Sequence, residues 1–480
     1  MPCSDAVTPP GVGPAAGPGA GTFRPMPVPD ADRQATLSGW GRTAPTAARL
    51  RSPATAPQTV AAVREAGARG TLARGLGRSY GDAAQNAGGT VLEMTRMAAI
   101  HSIDADRGEV HCDAGVSLDT MMRVLLPLGW FVPVTPGTRY VTVGGALAAD
   151  IHGKNHHVSG SFSRHLGELE LLGADGTVRR LTPDADPELF WATAGGMGLT
   201  GIVLTARIRL HRVHSALMSV DTERCTDLDE LMARLQATDH HYRYSVAWID
   251  LLARGAATGR AVLTRGDHAD PEQLDRRQAR DPLAFRTPRL PTVPHGIPGS
   301  LLNTATVGAF NALWYHKAPC ERRGQLQKIS SFFHPLDGLP EWNRIYGARG
   351  FLQYQFVVPQ QEHAALRRIV ETISRHRCPA FLAVLKRFGP ADPGWLSFPM
   401  PGWTLALDIP TALPGLDRLL DTLDEHVLGA GGRVYLAKDS RLRPQTLEAM
   451  YPRLDDFRQL RARIDPHRRF TSDLARRLDL

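Results

Sequence analysis

The rhythm of hydrophobic and polar positions changes near residue 212. Before it, apolar runs of strand length alternate with helical spacings. A helix over residues 57–68 leads into a strand at 71–73, and further strands are predicted at 90–94 and 109–115. Leu118, Met121, Met122 and Leu125 share one helical face, with Ser117 placed to cap the first turn and Gly129 to end the last. Residues 169–181 read as a hairpin turning at Ala174, Asp175 and Gly176, and 201–213 as one long strand. Beyond residue 212, strands at 242–252, 260–264, 351–358, 381–388 and 404–409 are separated by helices at 227–237, 362–375 and 415–428. The proline density of 286–298 excludes regular ladders there and predicts a loop or a mobile cover. The whole predicts an α+β chain with a disordered tail over 1–30 and a first domain over 31–213. A second domain over 214–432, a largely antiparallel sheet flanked by helices, follows, and residues 433–480 return to the first.

Composition narrows the class. Of 480 residues, 42% are hydrophobic and 22% charged, enough apolar content for two or three cores, and no apolar run reaches the ~18 residues that span a bilayer. The tail has neither the basic start nor the apolar stretch of a signal peptide. Five cysteines without paired spacing argue against a disulfide framework and against a zinc site. The net charge of +8 comes from 56 basic and 48 acidic residues spread along the chain, not from a basic stripe with aromatics, which argues against nucleic acid as a partner. Only five of the 56 bases are lysines: Lys154, Lys317, Lys328, Lys386 and Lys438. An arginine fork cannot replace a compact ammonium where a point charge or a lowered pKa is needed, so these lysines are candidates for chemistry.

Three glycine-dense segments carry the strongest signal. ARGLGRSYGD (73–82) follows a predicted strand, and its spacing lets backbone N–H groups turn toward an anion, though it is not a Rossmann fingerprint. VTVGGALAADIHGKNHH (141–157) places a stretch poor in side chains ahead of His152, Lys154, Asn155, His156 and His157, a polar site beside a cofactor more readily than a metal site. ELFWATAGGMGLTGIV (188–203) is a third glycine turn entering a strand. Three such loops together suggest an extended cofactor with a pyrophosphate.

These segments resemble the FAD-binding domain of the vanillyl-alcohol oxidase/PCMH flavoproteins. With GWGRTAP (39–45), HSIDAD (101–106), FLQYQFV (351–357), LSFPMPGW (396–403), AKDSR (437–441) and DLARRL (473–478), the chain resembles the decaprenylphosphoryl-β-D-ribose 2′-oxidase family of actinobacteria. The resemblance implies a two-domain PCMH-type fold whose first domain holds FAD. It implies that Arg74, Gly75, Leu76, Gly77, Arg78, Ser79, Tyr80 and Gly81 line the pyrophosphate and ribityl path. Gly137, Thr142, Gly144, Gly145, Ala149, Ile151 and His152 then lead to the flavin end, and Val203 and Tyr435 complete the cleft. The implied reaction oxidises the ribose 2′-hydroxyl of a polyprenyl-phosphate sugar to a ketone, with Lys438 and His152 as catalytic residues. Lys438 either stabilises anionic charge or acts as base; a rival reading buries it in an ion pair with Asp408 or Asp439. Lys154, Gln355, Lys386 and Ala406 would face the substrate.

Two departures from relatives shape the expectation. Tyr80 stands where many relatives attach flavin through a histidine, so the FAD is expected to be non-covalent. Ala406 stands where mycobacterial members carry a cysteine, so turnover needs no thiol there. The resemblance also implies a keto-reductase partner that completes epimerisation to the arabinose form, and peripheral contact with the membrane surface at the cell envelope, on a face left open. The alternative on the same fold is an FAD-linked oxidase of a soluble sugar alcohol or aldonolactone.

Overall fold

In the computed structural model, described over residues 32–287 and 290–480, three larger sheets and one two-stranded sheet organise the described residues; the tail expected over 1–30 lies outside them. β1 (Arg33–Leu37), β2 (Thr46–Arg51), β3 (Thr71–Arg74) and β4 (Thr90–Glu93) form a small sheet in the order β1-β2-β4-β3, parallel across β2-β4-β3. β5 (Ile100–Asp104) and β6 (Glu109–Asp113) join β8 (Leu166–Leu172), β9 (Val178–Leu181) and β10 (Ile202–Arg209) in a five-stranded sheet ordered β5-β6-β10-β8-β9, while β7 (Trp130–Phe131) pairs with β11 (His211–Arg212). The strand expected over 201–213 is therefore broken at Leu210, whose N–H bonds the Gly108 carbonyl as the chain changes partners from β8 to β7.

The third sheet has eight antiparallel strands, ordered β15-β12-β14-β13-β17-β18-β16-β19. They are β12 (Leu217–Cys225), β13 (Tyr244–Ile249), β14 (Ala261–His268), β15 (Glu321–Lys328), β16 (Phe351–Pro359), β17 (Ala383–Phe388), β18 (Gly402–Pro410) and β19 (Arg433–Val434). Helices Leu228–Thr238, His363–Arg375 and Leu416–Gly429 pack their apolar stripes on it, through Leu231 and Leu235, Ile369 and Ile373, and Leu420 and Leu423. These helices match the expected periodicities to within two residues. The loop over 286–298 contains no helix or strand among its described residues; the Leu290 and Val293 N–H groups bond the carbonyls of Gly338 and Pro340.

Register decides what faces the site. In antiparallel pairs the directly opposed side chains share a face, and here Gln355 lies opposite Ala406, Gln353 opposite Asp408, Lys386 opposite Thr404 and Val384 opposite Ala406. One face of β16-β18-β17 is thereby polar. The other, bearing Tyr354, Phe356, Leu405, Leu407, Ala383 and Leu385, is the main core. After β19 the chain runs back to the small sheet: Thr71 exchanges backbone hydrogen bonds with Arg469 (2.6 Å) and Thr471 (3.1 Å), and Arg477 grips Asp82 and Asp439, each at 2.8 Å.

Candidate active site

The turn after β3 and the turn before helix Val143–Ala148 touch. A Cβ on Gly75 would stand 2.2 Å from Thr142 Oγ1, and one on Gly81 would stand 1.9 Å from the Asp439 carbonyl oxygen, so both positions admit only glycine without a shift. Thr142 itself caps that helix by accepting from the Gly145 N–H at 3.2 Å. Around this contact the backbone stays open: Leu76, Gly137 and Gly145 are exposed, and Gly77, Arg78 and Ser79 half-buried. The N–H groups of Leu76, Gly77, Arg78 and Ser79 have no acceptor among the described residues, which is the donor array that a pyrophosphate needs. Arg78 stacks its guanidinium 3.7 Å over the Trp40 ring and leaves Nε unpartnered. The Arg74 guanidinium donates to the Ser38 and Ala84 carbonyls at 2.8 and 2.7 Å and so braces the loop.

At the other end stands His152, 6% exposed and walled by Phe388, Phe398 and Tyr435 at ring distances of 4.8–5.5 Å. The Gln355 amide donates to its Nε2 at 2.9 Å, which assigns the proton to Nδ1; that buried N–H has no protein partner. Burial, then the charges of Lys386, His156 and Lys438, hold its pKa well below the ordinary value, so the ring is neutral. Tyr435 ties the wall together: its N–H bonds the Gln355 carbonyl and its hydroxyl donates to the Ala149 carbonyl at 2.7 Å. Ile151 and Val203 lie buried in the adjoining apolar cluster. Asn155, His156 and His157 turn elsewhere, to the Pro133 carbonyl, to Asp392 and to the carbonyls of Asp239 and Tyr242. The third glycine loop is a clamp, its Gly195 and Met197 N–H groups bonded to the carbonyls of Leu147 and Ala148.

Three of the five lysines converge on this end. Lys438 lies 3.8 Å over the Tyr80 ring, with no carboxylate in ion-pair reach among the described residues. Burial lowers its pKa to about 7, opposed by Asp408 and aided by Lys386. Asp439 does not pair with it, being committed to Arg477 and to the N–H groups of Arg441 and Leu442. Asp408 is pushed up to about 7 by burial and accepts from Gln353 at 2.6 Å. Lys386, opposite Thr404, is brought down to about 8 by burial alone. Lys154 reaches the Phe332 carbonyl and lies 4.2 Å over the Phe332 ring, and burial with Lys386 nearby lowers it to about 7. Ala406 sits between Gln355 and Val384 on the polar face. Gln353 was not singled out from sequence, although period-2 alternation in FLQYQFV already puts it on the face of Gln355. Among the described residues no three His, Cys, Asp or Glu side chains gather as a metal ion would need.

This arrangement can hold a long anionic cofactor along the glycine turns, with its reactive end among His152, Lys386 and Lys438. The open glycine backbone, the unspent N–H groups and the orphaned His152 Nδ1–H fit FAD.

Comparison with known proteins accords with this. Residues 47–182 match the FAD binding domain family and residues 351–478 the D-arabinono-1,4-lactone oxidase family. The chain is 47% identical to decaprenylphosphoryl-beta-D-ribose oxidase of Mycolicibacterium smegmatis, over 92% of this chain and 97% of that one. It is 49% identical to an uncharacterized protein of Streptomyces coelicolor, over 76% of this chain and all of the other, and 24% identical to an alditol oxidase of a Streptomyces species, over 92% and 98%. Two glycine turns in open contact, a neutral histidine with a free N–H, lysines depressed toward neutrality and near-complete coverage at this identity lead to one assignment: the chain belongs to the FAD-dependent decaprenylphosphoryl-β-D-ribose oxidase family.

Proposed function

We propose that this protein oxidises the ribose 2′-hydroxyl of decaprenylphosphoryl-β-D-ribose to the 2′-ketone, with Lys438 and His152 as its catalytic residues. The observation that carries the reading is the convergence of Lys386, Lys438, Gln355 and His152 on the polar face of β16-β18-β17 beside the glycine turns. FAD, when bound, supplies the acceptor for the hydride that leaves the sugar carbon. The protein supplies the rest. Lys438, with a pKa of about 7, is substantially neutral at neutral pH and takes the hydroxyl proton. Asp408 sits near enough to bias that amine electrostatically. The His152 Nδ1–H is a fixed donor for negative charge at the reacting end, its tautomer held by Gln355. Lys386, with a pKa of about 8, keeps most of its positive charge for the phosphate at neutral pH, Lys154 adds an N–H donor beside it, and Ala406 leaves room between Gln355 and Val384 without offering a thiol. Arg78 and the N–H groups of residues 76–79 hold the pyrophosphate.

A lipid-linked substrate must be met at a membrane surface, and among the described residues no helix is long and apolar enough to cross one. The reading therefore includes peripheral contact with the membrane. It also includes a keto-reductase partner that consumes the ketone and completes epimerisation to the arabinose form. The test is product analysis by mass spectrometry after incubation of the FAD-loaded protein with decaprenylphosphoryl ribose. A product two hydrogens lighter that incorporates deuterium at C2 on borodeuteride reduction is expected. Turnover of free alditols or aldonolactones with none of the lipid-linked sugar would overturn the reading.

A further inference from the structure

Helix Thr304–Lys317 is built inside out. Asn303 caps it, accepting from the Ala305 and Thr306 N–H groups at 2.9 and 3.1 Å. Its inward stripe is Val307, Asn311 and Tyr315; Asn311 donates to Asp250 at 2.8 Å and Tyr315 lies under Arg260. The outward stripe, where a surface helix ordinarily carries charge, is Phe310, Leu313 and Trp314, exposed by 42%, 68% and 47%, with Lys317 completing it. Phe310 and Trp314 stack with their ring centroids 6.0 Å apart, and Leu301, just ahead of the helix, is 56% exposed. No Asp or Glu occurs between Asp281 and Glu321, while Lys317 on the helix and Arg224 and Arg260, which lie over the Tyr315 ring, supply positive charge. Rings connect this surface to the cleft. Phe310 meets Phe381 edge-on at 5.9 Å, Phe381 stacks near Tyr346 at 6.0 Å, Tyr346 lies on Phe351 at 4.0 Å, and Phe351 meets Tyr80, over which Lys438 sits.

We infer that helix Thr304–Lys317 is the surface by which the protein lies on an anionic lipid bilayer, with Phe310, Leu313 and Trp314 entering the boundary between headgroups and acyl chains. The inference rests on the reading of a lipid-linked substrate and adds the place of contact. A contiguous exposed apolar stripe marks an interaction surface, and a tryptophan beside a basic residue on an acid-free segment complements anionic headgroups. The ring series from Phe310 through Phe381, Tyr346 and Phe351 to Tyr80 joins that surface to the residue over which Lys438 sits.

The test is flotation of the full-length, FAD-loaded protein with vesicles of phosphatidylglycerol and phosphatidylcholine, beside vesicles of phosphatidylcholine alone. Binding to the anionic vesicles that weakens with salt is expected. A Leu313→Glu/Trp314→Glu double variant with an unchanged melting profile should bind at least about tenfold less well, since it loses apolar area and adds repulsion. Val178→Glu, on an exposed site of another strand, should bind as wild type does. Failure of the wild type to float, equal flotation of the double variant, or a concentration-dependent dimer that the double variant abolishes would overturn the inference. A water-soluble, short-chain polyprenylphosphoryl ribose separates this from the reading of function. The double variant should turn it over like wild type while losing the decaprenyl substrate in vesicles; a wild type inactive on both forms would refute the reaction instead.

Discussion

Replacing Lys438 by methionine should make the protein more stable and nearly inactive, a combination that a structural lysine would not give. Burial takes the amine from its ordinary 10.5 to about 7. At 1.36 kcal/mol per unit, that represents on the order of 5 kcal/mol carried by the folded state, an upper bound because the side chain keeps partial contact with solvent. Loss of the contact with the Tyr80 ring gives back about 0.5–2 kcal/mol, so a net gain of a few kcal/mol remains. The sign with pH is fixed. Between about 7 and 10.5 the unfolded chain binds a proton that the folded chain does not, so the penalty is complete below about pH 7 and relieved as pH rises toward 10.5. Thermal midpoints of wild type and Lys438→Met should therefore differ most below about pH 7 and converge above. In the same variant, anaerobic flavin bleaching by substrate should slow by ~10²-fold or more, the usual worth of a positioned base. A stability gap independent of pH, or bleaching within a few fold of wild type, would refute the reasoning.

Other expectations follow from the same geometry. Gly75→Ala forces a Cβ to 2.2 Å from Thr142 Oγ1 and should part the two turns, seen as a fall in flavin content of the purified protein. Gln355→Leu removes the donor to His152 Nε2 and should cost about 1–3 kcal/mol in transition-state stabilisation, read as lower kcat with flavin retained. The rate should rise with pH as Lys438 deprotonates near 7, whereas KM should climb above about 8 as Lys386 loses its charge, giving a bell in kcat/KM. Acid-denatured protein passed through a filter should release its yellow colour, because Tyr80 provides no histidine for attachment; colour retained with the polypeptide contradicts this.

Local signals carried much of the fold. Ser117 does cap its helix, accepting from the Thr120 N–H at 3.0 Å, and Gly129 ends the following turn with a φ of 77°. The hairpin folds at Gly176, and the alternating strands 351–358 and 404–409 lie within two residues of β16 and β18. Three of the elements that no local pattern announced show the physical reason. β15 is an exposed polar edge strand, ERRGQLQK, with no apolar stripe to read. β12 has its alternation interrupted by Glu223, a charge buried against Arg265 and Arg234. Helix Thr304–Lys317 points its apolar residues outward, so no inward stripe announces it. In the site, scarcity of lysine singled out Lys154, Lys386 and Lys438, but the commitment of Arg74, His156 and His157 to distant carbonyls and carboxylates depends on chain returns that no local pattern encodes.

The central claim is that an FAD-loaded cleft built around Lys438, Lys386 and His152 oxidises a lipid-phosphate ribose. Its most direct measurement is the anaerobic change in flavin absorbance near about 450 nm on mixing the purified protein with polyprenylphosphoryl ribose, beside free ribose, alditols and aldonolactones. The account expects rapid bleaching by the lipid-linked sugar alone. Absence of a flavin band, or bleaching by the soluble sugars while the lipid-linked sugar leaves the band unchanged, would contradict it.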